Sequence, residues 1–489
     1  MASSPAQPAH APSALKSCFM RVQGLPMRIV PPLAAALLAI GSAAAAQVPP
    51  PPTEHPQLRE IADQVQPQAL QATLETLVGF GTRHTMSTTT SDHRGIGAAR
   101  RWVKARFEAI SHDCGGCLQV VTPAQTVTGP RIPTPTEIMD VAAIQRGSSD
   151  PDRVIIITAH LDSRVTDVMN ATADAPGAND DGSGTAAVLE VARVLSKYRF
   201  PATLVYASLS GEEQGLYGGK LMAQYARAQG WQVESDLNND IVGNIQGIDG
   251  VVDNTRVRVF SEGTKSTETP QQAAYRRYFG GEVDSPSRNV ARFMAGLAEQ
   301  YLTDFQVQMI YRTDRFGRGG DQVPFLAAGY PAVRLTEPNE NYRRQHQDLR
   351  VEQGIHYGDV LSGVDFPYLA QVARLNAITM AAMAWAPAPP GDVTVKGAVE
   401  PDTTLGWKRS PGAYGYRVWW RDTTAPRWQY HRWVGDTGTT TLKDIVIDND
   451  FFGVSAVSKD GYASPVEFPG FAGSFVSPAP DKEEAGKSK

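Results

Sequence analysis

Val154-Ile155-Ile156-Ile157-Thr158-Ala159-His160-Leu161-Asp162 runs apolar through Ile157 and then meets a histidine and a carboxylate. Four β-branched residues in a row, with no polar alternation, predict a strand buried on both faces. Such a strand needs helices above and below it, and the surrounding sequence supplies them. Residues 204–209 form a second buried strand, and 333–335 a third. Residues 186–195 are helical, entered through Gly182-Ser183-Gly184, and 369–385 form a long apolar helix that closes the domain. Upstream, residues 54–110 place Leu58, Ile61 and Val65, then Leu74, Leu77 and Val78, at helical spacing. The expectation is an α/β domain over residues 54–385.

Composition changes at Ala386-Pro-Ala-Pro-Ala-Pro-Pro, read as an extended linker over residues 386–391. Short alternating segments follow over residues 392–475, separated by turn residues, and predict a small all-β sandwich. Trp407, Gly415-Tyr416-Arg417-Val418 and Phe452-Gly453-Val454-Ser455-Ala456-Val457 resemble a fibronectin type III module, whose binding partner the sequence does not name. Residues 476–489, rich in Pro and charge, read as a disordered tail.

At the other end, Arg28, the apolar run 33–40 and Ala43 to Ala46 form a signal peptide with cleavage expected after Ala46. The run is too short to span a membrane. An apolar helix kept in the mature fold is the alternative. Residues 1–19 look superfluous, with Met20 or Met27 as the start, and residues 47–53 are a Pro-rich linker. The expected location is periplasmic or secreted. Of three cysteines, Cys18 would leave with the signal. Cys114-Gly-Gly-Cys117 could be half a zinc site, a redox pair or a local disulfide. No second cysteine pair exists for a zinc ribbon, and a Gly-rich turn is not the helix start that redox pairs use, so a structural disulfide is preferred. Of 489 residues, 42% are apolar and 20% charged, and the net charge of -5 leaves no basic footprint for nucleic acid.

Five polar sites stand out. His160-Leu161-Asp162 follows a buried strand, where open α/β sheets gather ligands. His160 could bind a metal while Asp162 holds its ring from the other nitrogen, or it could be structural. Asn179-Asp180-Asp181-Gly182-Ser183-Gly184 reads equally as a helix cap. Glu212-Glu213 sits in a Gly-flanked loop after the second strand, where two glutamates are costly if desolvated and ordinary if solvated. Asp240 and His346 are uninformative alone.

Jointly, two histidines and three carboxylates give two metals a mixed nitrogen and oxygen set of the kind zinc accepts. One metal would take His160, Asp240 and Asp180; the other Asp180, Glu213 and His346, with Asp180 bridging and Glu212 left as a base. In this order the motifs resemble the M28 family of co-catalytic zinc aminopeptidases over about residues 54–388. The resemblance implies two Zn2+ per chain, a mixed central sheet flanked by helices, zinc ligands at the five positions above, Glu212 as general base and Asp162 supporting a ligand. Gly319-Gly320-Asp321-Gln322-Val323-Pro324-Phe325 is similar to a pocket segment of many members. Members often carry Tyr before the last histidine as an oxyanion donor. Here that residue is Gln345, and Tyr342 is the nearby substitute. Little space is left for the protease-associated insert of some relatives.

The resemblance thus implies peptides with a free N-terminus as substrates. A carboxypeptidase or deacylase, a glutaminyl cyclase working with one zinc, and a non-catalytic binding protein are the rival readings.

Overall fold

The computed structural model describes residues 48–476. The signal expected over residues 1–46 and the tail beyond residue 476 lie outside the described residues. The chain opens with helices α1 (Pro56–Asp63), α2 (Pro67–Gly79) and α3 (Gly95–Asp113). Strands β1 (Gln119–Val121), β2 (Ala124–Gly129), β3 (Ile132–Met139), β4 (Val141–Gln145) and β5 (Asp150–His160) follow. Then come α4 (Gly182–Leu195), β6 (Ala202–Leu209), α5 (Tyr217–Ala228), β7 (Gln232–Asn239) and β8 (Arg256–Ser261). The first part ends with α6 (Pro270–Phe279), α7 (Pro286–Tyr301), β9 (Gln306–Ile310), α8 (Gln322–Ala327), β10 (Ala332–Thr336), the hairpin β11 (Arg350–Glu352) and β12 (Ile355–Tyr357), and α9 (Phe366–Trp385).

Eight strands form one sheet in the order β1-β4-β6-β5-β7-β10-β8-β9. Its centre, β6-β5-β7-β10, is parallel, while β4 and β8 pair antiparallel on either side. The α/β expectation therefore holds, with a mixed sheet. Alternation along β5 shows why its sequence is apolar throughout: Ile155 and Ile157 enter the core that holds α2, α4 and α9, and Val154 and Ile156 enter the core that holds Met222 of α5 and Phe325 of α8. β3 and β4 are separated at Asp140, so β3 pairs with β2 while β4 joins the large sheet. The buried Asp140 carboxylate accepts from the Ser210 amide at 2.9 Å. Cys114 and Cys117 are disulfide-bonded at the end of α3. No helix among the described residues is long and apolar enough to cross a membrane.

After residue 390, β13 (Gly391–Lys396), β14 (Thr403–Lys408) and β17 (Thr439–Leu442) form one antiparallel sheet. β15 (Gly415–Asp422), β16 (Tyr430–Gly435) and β18 (Asp450–Val457) form another. Leu405 and Trp407 from the first meet Tyr416, Val418 and Val454 from the second in one core. This part packs on α7. Arg421 of β15 donates twice to the Asp284 carboxylate, at 2.8 and 2.9 Å, and both side chains are buried. Asp284 also accepts from Arg292 at 2.8 Å.

Removing one partner of a buried ion pair costs about 3–5 kcal/mol. Because Arg292 still neutralises Asp284, Arg421→Met should fall near the lower end, about 3 kcal/mol. A shift in the urea midpoint at unchanged slope measures it; no shift would mean the contact with α7 carries no stability.

Candidate metal centre

The parallel centre of the sheet delivers four polar segments to one end. His160 closes β5, Ser210 to Glu213 follow β6, Asp240 follows β7, and His346 lies in the turns after β10. Asp180 and Asp181 stand at the entry of α4. Carboxyl ends of parallel strands are where α/β sheets place ligands, because their loops can converge there without crossing the sheet.

The adjacent aspartates divide their work. Asp181 caps α4 by accepting from the Gly184 amide at 2.9 Å. It also accepts from the amides of His160 and Ile241, tying three segments together. Asp180 faces the other way. Its Oδ1 lies 3.2 Å from His160 Nε2, and its Oδ2 lies 2.9 Å from His346 Nε2. Asp240 Oδ1 lies 3.7 Å from His160 Nε2, and Glu213 Oε1 lies 2.9 Å from His346 Nε2. Possible ligand atoms of His160, Glu212 and Asp240 lie within 4.8 Å of one another, as do those of Asp180, Glu213 and His346. The structure thus brings all five expected ligands and Glu212 together, and Glu212 stands beside the His160 group.

The donor set fits metal ions. Glu213 Oε1 is buried, with His346 Nε2 at 2.9 Å as its polar neighbour. Five nitrogen and carboxylate donors converge, with Asp180 presenting one oxygen to each histidine. Carboxylates this dense and this buried must be neutralised, by protons or by cations, and bound metal ions would do so.

Several supports were not legible in sequence. Arg334, fully buried in β10, sits 2.8 Å from Asp240 Oδ2 and so turns Oδ1 toward His160. Burial raises the Asp240 carboxyl, but Arg334 and His160 outweigh it and hold it below the usual range. Asp359 accepts from the amides of Asn179 and Asp180 at 2.7–3.0 Å and fixes the bridging loop. Glu337 accepts from the Asn179 and Asn244 side chains. Arg164 donates to Glu213 Oε2 at 2.8 Å and lies 2.6 Å from His346 Nδ1. The only trace of these groups in sequence is that Arg334 and Glu337 carry charge in or beside an otherwise apolar strand.

Asp162 supports differently from the sequence expectation. His160 Nδ1 lies 3.0 Å from the Asp162 carbonyl and 3.7 Å from its carboxylate. The carboxylate is occupied: it accepts from Thr85 Oγ1 and from the amides of Gly211, Glu212 and Glu213. It therefore sets the loop that carries both glutamates. Tyr342, the expected oxyanion donor, is 55% exposed and makes no bond to these residues. Gln345 is buried and turned toward Glu340 and Arg318. His346 and Ile241 adopt left-handed φ values of 50° and 62°, strain that marks the two ligand-bearing turns.

Burial pushes the Glu212 carboxyl well above its ordinary range, and Glu213, Asp240 and Asp321 add to this against His160. Burial lowers the His346 imidazole, but Glu213 and Asp180 overcome it and push it up to about 10. A folded value above the unfolded one stabilises fully below the unfolded value near 6.5 and is lost as pH rises through the folded one. Metal-free protein should therefore lose stability between about pH 6.5 and 10. Metal-loaded protein should not, since a metal replaces the proton. Denaturant midpoints across this range, with and without chelator, check it; a flat profile for metal-free protein would remove His346 from the carboxylate cluster.

A model of peptidase family M28 matches residues 140–357. The chain is 45% identical over 418 residues to a probable zinc metalloprotease of Leptosphaeria maculans, covering 84% of this chain and 96% of that protein. It is 43% identical over 422 residues to a probable zinc metalloprotease of Pyricularia oryzae, covering 84% of each. The solved Legionella pneumophila LapA aminopeptidase is 18% identical, covers 74% of this chain and 80% of that one, and has a TM-score of 0.49, a likeness too distant to bear on the chemistry.

Proposed function

The chain belongs to peptidase family M28, and on that footing we propose that it is a hydrolase holding two zinc ions per chain that removes N-terminal residues from peptides. The observation that carries the reading is Asp180, whose two oxygens face two different histidines. His160, Asp180 and Asp240 would hold one ion, and Asp180, Glu213 and His346 the other. When bound, the ions supply Lewis-acid polarisation of the scissile carbonyl and lower the pKa of water.

The protein's own groups do the rest. Glu212 has no ligand duty in this assignment, and its raised pKa suits a carboxylate that takes up a proton and later gives it back. It accepts the proton of the attacking water at a carboxylate oxygen and returns it to the leaving amine nitrogen. Asp162 fixes Glu212 and Glu213 in divergent directions through their amides. Arg334 and Asp359 keep Asp240 and Asp180 in place without touching substrate. Carboxylates at the site edge hold the substrate's free amino group.

Arg318 favours one alternative, a carboxypeptidase. Its side chain is 32% exposed while its Nη1 donates to Glu340 at 2.8 Å. Its Nη1 also donates to Gln345 Oε1 at 3.4 Å, one residue before His346, so it stands beside the site. A cation there suits a substrate carboxylate. Three peptides of one sequence separate the readings: free at both ends, N-acetylated, and C-amidated. The aminopeptidase reading expects the N-acetylated peptide alone to be lost, by about 100-fold or more in kcat/KM, as when a site's buried polar groups lose their partner. Loss of the C-amidated peptide instead would replace it with the carboxypeptidase.

A further inference from the structure

Strand alternation gives β15 two faces. Tyr416 and Val418 enter the sandwich core, whereas Arg417, Trp419 and Arg421 point outward toward α7. Arg421 there meets Asp284. Arg417 meets nothing: it is 8% exposed, yet no hydrogen bond or ion pair joins its guanidinium to any described residue. Burial lowers its pKa, and no carboxylate acts against that. Its nitrogens are not among the sealed, unpartnered polar atoms, so they face the open space beside them and keep their donors available there.

What surrounds it is a cavity of about 260 Å³ between α7 and the sandwich, lined by Arg417, Trp419, Trp428, Phe293, Leu297 and Gly296. The rim cation Arg427 is paired with Glu299, and Arg292 with Asp284. That leaves Arg417 as the uncompensated charge of the cavity. Gly296 lies mid-helix in α7, and a Cβ built there would meet nothing within 4 Å. A mid-helix glycine is unfavourable and here no packing demands it, so it serves to leave space. The volume is near the lower end of the ~300–1,000 Å³ of small-molecule sites.

We propose that this cavity is a second binding site, separate from the metal centre, for a small monoanionic carboxylate with an aromatic or branched apolar body. The carboxylate pairs with the Arg417 guanidinium, which presents a planar donor fork. The apolar body lies against the parts of Trp419 and Trp428 that line the cavity; their indole N–H groups are already used by Ser455 and Asn289, and Arg421 covers one face of Trp428.

The test titrates the zinc-loaded full chain with 3-phenylpropionate, its amide and inorganic phosphate, reading tryptophan fluorescence and calorimetry. The expected result is saturable 3-phenylpropionate binding, with the amide and phosphate each at least ten-fold weaker. Arg417→Met should weaken 3-phenylpropionate at least ten-fold while leaving the thermal midpoint unchanged or raised, since it removes an unpaired charge. Gly296→Met, which fills the cavity and keeps Arg417, should abolish binding with zinc-dependent turnover intact. Equal binding of acid and amide, tighter binding of phosphate, wild-type binding by Gly296→Met, or no saturation in the millimolar range would each overturn the proposal.

Discussion

Glu212→Gln is expected to keep both zinc ions and lose turnover by roughly two to four orders of magnitude, the scale of losing a general base. The substitution preserves shape and the backbone amide that Asp162 holds, so the loop should not move. What disappears is the ability to take a proton. Glu213→Gln makes the contrast. Its Oε1 faces His346, and Arg164 already occupies its Oε2, so an amide there weakens a ligand and clashes with a donor. That variant should lose zinc, and excess zinc should restore part of its activity. Stopped assays on both variants, with zinc content measured on the same samples, separate the two roles. A zinc-replete but dead Glu213→Gln beside a zinc-poor Glu212→Gln would exchange them.

Asp180→Asn has the larger expected effect. In the proposed two-zinc assignment this carboxylate serves both ions, so its charge would be withdrawn from both at once. Turnover should fall by about four orders of magnitude or more, since Glu212 alone, without the ions to lower the pKa of water, cannot sustain it. The fold should survive, because Asp359 holds the backbone amides of Asn179 and Asp180 and not the side chain. The thermal midpoint of the wild type should rise with added zinc, as any ligand of the native state requires. That of Asp180→Asn should hardly respond. A variant that still binds zinc and shifts like the wild type would show that the ions do not share this residue.

The strands that sequence revealed are those whose composition states their burial. β5 reads as buried because Val154 to Ile157 meet apolar side chains on both faces. β7 lies beside it, equally buried, and was not legible. Its Glu234, Asp236, Asn238 and Asn239 look like a solvated segment until their partners are known. Glu234 pairs with Arg153, Asp236 accepts from Thr158, and Asn239 bonds Asn376. Each partner is some 80 residues away or more, so local pattern could not show that the polar groups are satisfied. The metal centre divides in the same way. Its candidate ligands were legible because histidines and paired carboxylates fell at strand ends. Arg334, Asp359 and Arg164 were not, since a charge that serves another charge looks like surface until both are placed. The contact between β15 and the turn that enters α7 joins Arg421 to Asp284 across 137 positions and left no sequence trace.

The claim that everything else rests on is a pair of ions sharing Asp180. Zinc per chain, measured by plasma mass spectrometry on protein loaded with zinc and then cleared of loosely bound metal by gel filtration, tests it most directly. Close to two zinc ions per wild-type chain are expected. A single tightly bound zinc in a fully active wild-type enzyme would contradict it and favour a one-metal chemistry such as that of the cyclase reading.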